Sequence, residues 1–379
     1  VQTCALPILR GKKALINTAM SLVEEAVAVM CGFILPKLIL GTFGSKYNGL
    51  TTSITQFLSC ATLLRAGIIG ATRAALYFPL AKKNTEEISS IVKATDNFMK
   101  KVGAIIAISI IVFSLVYPVF VNTEFDYFFT FSLFIIIGIS TFSESFFGIT
   151  YMIVLQADQK IWVSSILKSI SYIINVILAV ILIKLNFGIH FIKLGSSIVF
   201  FIYPILIQLY VRKKYNICKN VKKNSNIISQ RWDAFWHSIS TFVMTNTDVI
   251  ILTIFTNMLE VSVYSVYNLV INGLRKITSS LSNGLEAAFG NMIAKQENNL
   301  VKKNLSLIEL LIFSIATIIS SSAIILITQF VSIYTKNIND VNYIRPSFAF
   351  VLLFAQFFNI IRIPYQIIVQ AAGLYHLHY

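Results

Sequence analysis

The chain has 379 residues, of which 56% are apolar and only 12% charged, and it carries a formal net charge of +15 at neutral pH. Globular domains carry about 25% charged residues, so this composition excludes a soluble enzyme or binding domain and points to an integral membrane protein. The surplus lysines and arginines lie between apolar runs, where they set membrane orientation, and this removes the reason to expect a nucleic-acid partner.

Residues Val1–Ile8 do not read as protein sequence, and 1–10 is expected to be a non-native leader or scar. Ten apolar spans follow, at about 14–40, 47–79, 103–121, 126–156, 161–184, 187–211, 235–256, 259–294, 304–334 and 343–373. Runs such as Ile105–Val116 and Phe128–Ile139 are apolar almost throughout, which fits helices and not the alternating strands of an outer-membrane barrel. The expected fold is therefore an all-α, polytopic helix bundle.

Polar and charged residues interrupt these spans in order. The first carries Asn17, Ser21, Glu24 and Glu25; the second Thr55, Ser59, Thr62, Arg65 and Arg73; the fourth Glu144. The fifth has Ser164, Lys168, Ser171 and Asn175, and the seventh Ser238, Thr241, Thr245 and Asp248. In the eighth, Ser265, Asn268, Asn272, Arg275, Ser279, Ser282 and Glu286 recur at steps of three and four, which keeps them on one helical face. Lys276 adjoins that stripe. A serine or threonine in such a helix, taken singly, reads as a structural hydrogen bond. A charge at mid-membrane costs about 2.5–3.5 kcal/mol on insertion scales, so repeated charges are expected to share a hydrated central cavity.

Orientation follows from the loops. About nineteen lysines and arginines, among them Lys82, Lys83, Lys100, Lys101, Arg212, Lys213, Lys214 and Lys302, fall in one set of connections. Only Lys46, Lys184, Lys336 and Arg345 fall in the other set, so the first set and the N-terminus are expected to be cytoplasmic. Asn84–Lys101 reads as an amphipathic helix within a long cytoplasmic connection, with Ile88, Ile91, Val92 and Phe98 close together. Arg212–Arg231 is basic and asparagine-rich.

A weak repeat relates Phe43–Ala81 to Phe255–Ala294. Duplicated halves are common in transporters. The expected organisation is an N-terminal lobe over 11–211 with six spans, a basic linker over 212–234, and a C-terminal lobe over 235–379 with four spans, incomplete because its C-terminal helices are missing.

Cys4, Cys31, Cys60 and Cys218 form no paired motif, and His376 and His378 stand in a tail, so no metal site is expected. No phosphate-binding loop, HExxH or GxSxG motif appears, and neither catalysis nor a cofactor is expected. Cations outnumber acids in the spans, which suits an anionic substrate, since arginine grips phosphate oxygens with a planar fork.

Several blocks carry a resemblance. Gly32-Phe33-Ile34-Leu35-Pro36-Lys37, Phe43-Gly44-Ser45-Lys46-Tyr47-Asn48-Gly49-Leu50 and Ser53-Ile54-Thr55-Gln56-Phe57-Leu58 resemble the Wzx-type flippases of bacterial polysaccharide biosynthesis. Arg73-Ala74-Ala75-Leu76-Tyr77, Asn246-Thr247-Asp248, Ser262–Tyr267 and Phe289–Ala294 extend it. These flippases belong to the multidrug/oligosaccharidyl-lipid/polysaccharide (MOP) exporter superfamily. The resemblance implies two lobes around a central cavity. It also implies transfer of undecaprenyl-pyrophosphate-linked oligosaccharide across the bacterial cytoplasmic membrane for O-antigen, lipopolysaccharide or capsule, by alternating access. Glycosyltransferases and a polysaccharide polymerase would be pathway partners, alongside the lipid-linked substrate and membrane lipids.

Arg65 stands where a glutamate would be expected of such a flippase, and Glu24-Glu25 is more acidic than expected; Arg65 and Glu24 could compensate each other. On this reading Arg65, Arg73, Lys168, Arg275, Lys276, Asn268 and Asn272 line the substrate pathway, while Glu24, Glu25, Glu144 and Asp248 couple ions or balance charge. Two alternatives stay open. One is a cation-coupled multidrug exporter of the same superfamily, built on the acids; the other is a membrane-embedded polysaccharide polymerase or ligase, which the short outer loops disfavour.

Overall fold

The structure is a computed structural model that describes residues 2–121, 125–218, 231–294 and 296–371. All regular structure among them is helical: α1 (Gln2–Phe43), α2 (Ser45–Cys60), α3 (Leu63–Lys82), α4 (Thr85–Phe120), α5 (Tyr127–Ser143), a π-helical turn (Glu144–Gly148), α6 (Ile149–Ala157), α7 (Ile161–Lys184), α8 (Ile189–Lys214), α9 (Arg231–Phe255), α10 (Met258–Ala294), α11 (Asn298–Tyr334), α12 (Pro346–Ile361) and α13 (Ile363–Ala371). Each expected span coincides with one helix or a broken pair. Among the described residues seven helical stretches are long and apolar enough to cross a membrane, and Ser45–Arg65 with Ile68–Lys82, taken as one span bent by 48°, makes an eighth.

The turns between spans have local causes. Gly44 sits at φ 89°, a left-handed conformation open to glycine, and lets α1 turn into α2. Asn84 caps α4: its side-chain oxygen accepts from the Glu87 N–H at 3.2 Å and its amide donates to the Glu87 carboxylate at 3.3 Å. Asp126 caps α5 by accepting from the Phe128 N–H at 3.0 Å.

The amphipathic helix expected at Asn84–Lys101 is the first half of α4. The helix runs without interruption from Thr85 to Phe120, and Ile88, Ile91, Val92 and Met99 are buried in the core with Ile106. The amphipathic pattern arises because one face packs on protein, not because the helix lies on a lipid surface.

The chain forms two compact units, 1–261 and 262–379. The first has a core built from Leu50, Ile54, Leu133, Phe134, Tyr151 and Ile207. Its outward faces are apolar too: Ile108 and Phe120 on α4 are 61% and 78% exposed. Apolar side chains inside and outside are what a bilayer solvent requires. Glycines bring helices close. A Cβ on Gly138 would fall 2.6 Å from the Ile110 Cγ2, and one on Gly148 would fall 2.8 Å from the Pro204 Cβ. The second unit centres on Phe289, Ile308, Ile312, Ala316 and Ile360. There the Tyr267 hydroxyl donates to the Tyr343 carbonyl at 2.8 Å and accepts from the Arg345 N–H at 3.0 Å, fixing the α11–α12 connection to α10.

Candidate functional site

Two charged side chains of the first unit, Arg65 and Glu144, stand where helices are interrupted. α2 ends at Cys60, a turn at Ala61-Thr62 follows, and Arg65 stands in the first turn of α3. Glu144 opens the π-helical turn between α5 and α6. Such turns recur at functional sites because they re-aim side chains without ending the helix. Arg65 meets Glu144 with Nη1 2.9 Å from Oε2, and it also donates to the Ser145 hydroxyl at 3.2 Å. The arginine is the more enclosed partner, at 12% side-chain exposure against 38% for the glutamate.

A second pair joins α1 to α7. Lys168 Nζ lies 3.3 Å from Glu24 Oε1. Tyr172 and Tyr203 stand within electrostatic reach of Lys168, Glu24 and Glu144, so both pairs and both phenols form one polar region within the unit. The suggested compensation of Arg65 by Glu24 is thereby corrected: Arg65 pairs with Glu144, and Glu24 pairs with Lys168. Each of these two bases therefore faces an acid. In a low-dielectric setting such pairing offsets the cost of burying either charge alone.

The other expected positions are distributed differently. Glu25 is exposed beside Glu24, Arg73 is exposed on α3, and Asp248 is exposed on α9. Arg275 is half-buried on α10 and donates from Nε to the Gln356 side-chain oxygen at 3.1 Å, within the second unit. Lys276 and Asn268 are half-buried and Asn272 is exposed. Side chains of Ser279, Ser282, Glu286, Ser238, Thr241 and Thr245 lie outside the described residues. Ser164 and Ser171 spend their hydroxyls on the Ile161 and Leu167 carbonyls, at 2.8 and 2.9 Å, as the structural reading of single serines holds.

Sequence reasoning missed Ser145, Tyr172, Tyr203 and Lys193. A phenol within an apolar span is a detectable signal, and Tyr203 sits beside Pro204. Lys193 stands on α8, the helix that carries the buried Ile189, Pro204 and Ile207, and among the described residues it has no ion pair or hydrogen bond. Among the described residues no three His, Cys, Asp or Glu side chains group as metal ligands.

A separate network ties the α6–α7 turn to its neighbours. Lys160 Nζ is 2.6 Å from Asp158 Oδ2, and the Tyr215 hydroxyl donates to the same oxygen at 2.5 Å. Burial, then the hydrogen bond to Asp158 and the carboxylate's charge, push the Tyr215 phenol above its ordinary range. Arg212 donates twice to the Tyr151 hydroxyl, at 2.9 and 2.7 Å. Asn17 on α1 closes the turn: its amide donates to the Gln159 carbonyl at 2.8 Å and its oxygen accepts from the Trp162 N–H at 3.2 Å.

Helix order and packing together match known transporters. An inward-facing multidrug resistance MATE family transporter of the MOP superfamily aligns over 96% of this chain and 87% of its own, with TM-score 0.69 at 11% identity. The fold is that of the MATE transporters. The MATE multidrug transporter DinF-BH aligns over 96% and 83% with TM-score 0.63 at 14% identity. A MOP superfamily transporter from Pyrococcus furiosus, described by a reversed polarity of its binding pocket, aligns over 96% and 84% with TM-score 0.54 at 10% identity. No known family pattern matches the chain, and no curated protein does.

Proposed function

We propose that the chain is a cation-coupled exporter that moves an amphipathic, drug-like substrate outward across the bacterial cytoplasmic membrane by alternating access. The observation that carries this reading is the charge balance of the first unit. Lys168 and Arg65 are each engaged by an acid, Glu24 and Glu144, and in this reading those acids exchange a proton or a cation for the basic partner. The MATE-like fold supports the same class. In this proposal the two lobes expected from the repeat rock about a central cavity, with the N-terminus on the cytoplasmic side.

The experiment is transport of a fluorescent lipophilic cation in proteoliposomes under an imposed pH or sodium gradient. Glu24→Gln and Glu144→Gln should each abolish gradient-driven uptake, while Arg275→Gln should leave most of it. Uptake that survives both acid replacements would overturn the coupling role.

A second reading is a flippase for lipid-linked oligosaccharide, working with the glycosyltransferases and polymerase of one pathway. It is favoured by the blocks at 32–37, 43–50 and 73–77 and by adjacent Arg275 and Lys276, half-buried on α10. Its sign would be the reverse order of sensitivity in a flippase-deficient strain. Replacing Arg65 and Arg275 together would abolish surface glycan, and Arg→Lys would be only partly tolerated because lysine lacks the planar fork.

A further inference from the structure

Within the first unit, α2 carries a seam of small and polar residues against α9 and the turn that follows it. Three contacts recur along α2 at steps of four and three. At Gly49, an added Cβ would fall 1.8 Å from the Met258 carbonyl oxygen, so the backbone of α2 touches the start of α10. One turn on, the Ser53 and Thr253 hydroxyls lie 2.8 Å apart, and the Tyr117 hydroxyl donates to Ser53 at 2.6 Å. Ser53, Thr253 and Tyr117 are all buried. One turn further, the Gln56 amide donates to the Asn246 side-chain oxygen.

Such a seam can hold two apolar helices together within a bilayer. Packing against lipid costs an apolar helix face little, so polar contacts buried between helices decide which faces meet. All three contacts lie towards the end of the unit that carries the α1–α2 and α9–α10 turns. No part of the Arg65–Glu144 or Glu24–Lys168 region contributes to them.

We propose that Gly49–Met258, Ser53–Thr253–Tyr117 and Gln56–Asn246 form a latch that holds α9 on α2 and closes the outer end of the transport path, and that the latch must part for the outer side to open. The inference rests on the alternating-access reading but names residues that reading does not use. The latch suits reversible opening. Its hydroxyls can turn to water once the helices separate, whereas a seam of interdigitated leucines would leave apolar surface exposed to water. Gly49 makes it sensitive to a single methyl group, because the contact is backbone against backbone.

The test uses a thiol reporter behind the latch. Cys4, Cys31, Cys60 and Cys218 are replaced by serine, and Val249, buried one turn from Thr253 on α9, is changed to cysteine. A membrane-impermeant maleimide is then added outside intact cells. Labelling of V249C should be slow with the latch intact. It should rise about tenfold with Thr253→Val, the change in open population expected for loss of one buried hydrogen bond. Gly49→Ala should raise it at least as much; should that variant not fold, Thr253→Val alone decides. Fast labelling with the latch intact, or an unchanged rate in a monodisperse Thr253→Val protein, overturns the latch. Transport is measured on the same variants. Accelerated labelling in a protein that transports no lipophilic cation would leave the latch standing and remove the exporter reading, and intact transport with unchanged labelling would do the opposite.

Discussion

Removing the Glu144 carboxylate should cost more than removing the whole Arg65–Glu144 pair. In the native protein the guanidinium, 12% exposed, is held by Glu144 at 2.9 Å and by the Ser145 hydroxyl at 3.2 Å. Glu144→Ala leaves that guanidinium with one neutral acceptor in a low-dielectric setting. Breaking a fully buried pair costs about 3–5 kcal/mol. Glu144 is more than a third exposed, so water can replace part of what is lost, and an expected cost of about 2 kcal/mol is appropriate. For a unit of this size about 1 kcal/mol corresponds to ~2 °C in the unfolding midpoint, so Glu144→Ala should melt about 4 °C lower in detergent. Glu144→Gln keeps an acceptor and should lose about half as much. The double variant Arg65→Met, Glu144→Ala removes both charges and should recover at least half of the loss, giving a coupling of about 1 kcal/mol or more in a double-mutant cycle. The assay is thermal unfolding of the four proteins in one detergent at one scan rate, since membrane proteins of this kind unfold irreversibly and the midpoint is rate-dependent. Strictly additive midpoints would refute the claim that the two charges depend on each other.

Gly138→Ala should destabilise the first unit by about 1–3 kcal/mol through overpacking, because its new methyl meets Ile110 Cγ2, and Ile110→Ala should rescue it in a paired melt. The Tyr215 phenol titrates higher in the folded than in the unfolded state. Its contribution is therefore complete below the ordinary tyrosine range and is lost as pH rises beyond it. Stability should fall above about pH 10, with a smaller fall in Tyr215→Phe, as read by melts between about pH 8 and 11. Cysteine placed in the 212–231 connection should be shielded from an impermeant thiol reagent in intact cells and cysteine at Asn339 should react; reversed labelling would overturn the orientation drawn from lysine and arginine placement.

The spans are legible because lipid demands long apolar runs and tolerates little else. The expected span 161–184 and the observed α7, Ile161–Lys184, share both ends, and 126–156 falls within a residue of the α5–α6 helix. What spacing does not supply is partnership. Periodicity places Glu24 and Lys168 on faces of their own helices, but which face meets which depends on packing between α1 and α7, so a compensation of Arg65 by Glu24 reads plausibly from the chain and fails in the fold. The turn at Ala61-Thr62 and the π-helical turn at Glu144 are also hidden, since neither contains proline. At Asn84–Lys101 the pattern is real but ambiguous. A helix with one apolar face can lie on a bilayer or on protein, and only the neighbours of Ile88 and Ile91 decide.

The π-helical turn inserts one residue into a span that remains continuous. One residue is about 100° of rotation in an α-helix, so everything after Gly148 is turned by that amount relative to an uninterrupted helix. Gly148 meets Pro204 and Tyr151 meets Arg212 only in this rotated register. A one-residue deletion at 145–147 would keep the span long enough for the membrane and leave its hydropathy almost unchanged. It would nevertheless swing the Tyr151 hydroxyl away from Arg212 and present a Cβ-bearing neighbour to Pro204. The length of this segment, counted in single residues, therefore constrains the protein in a way that no hydropathy profile would register.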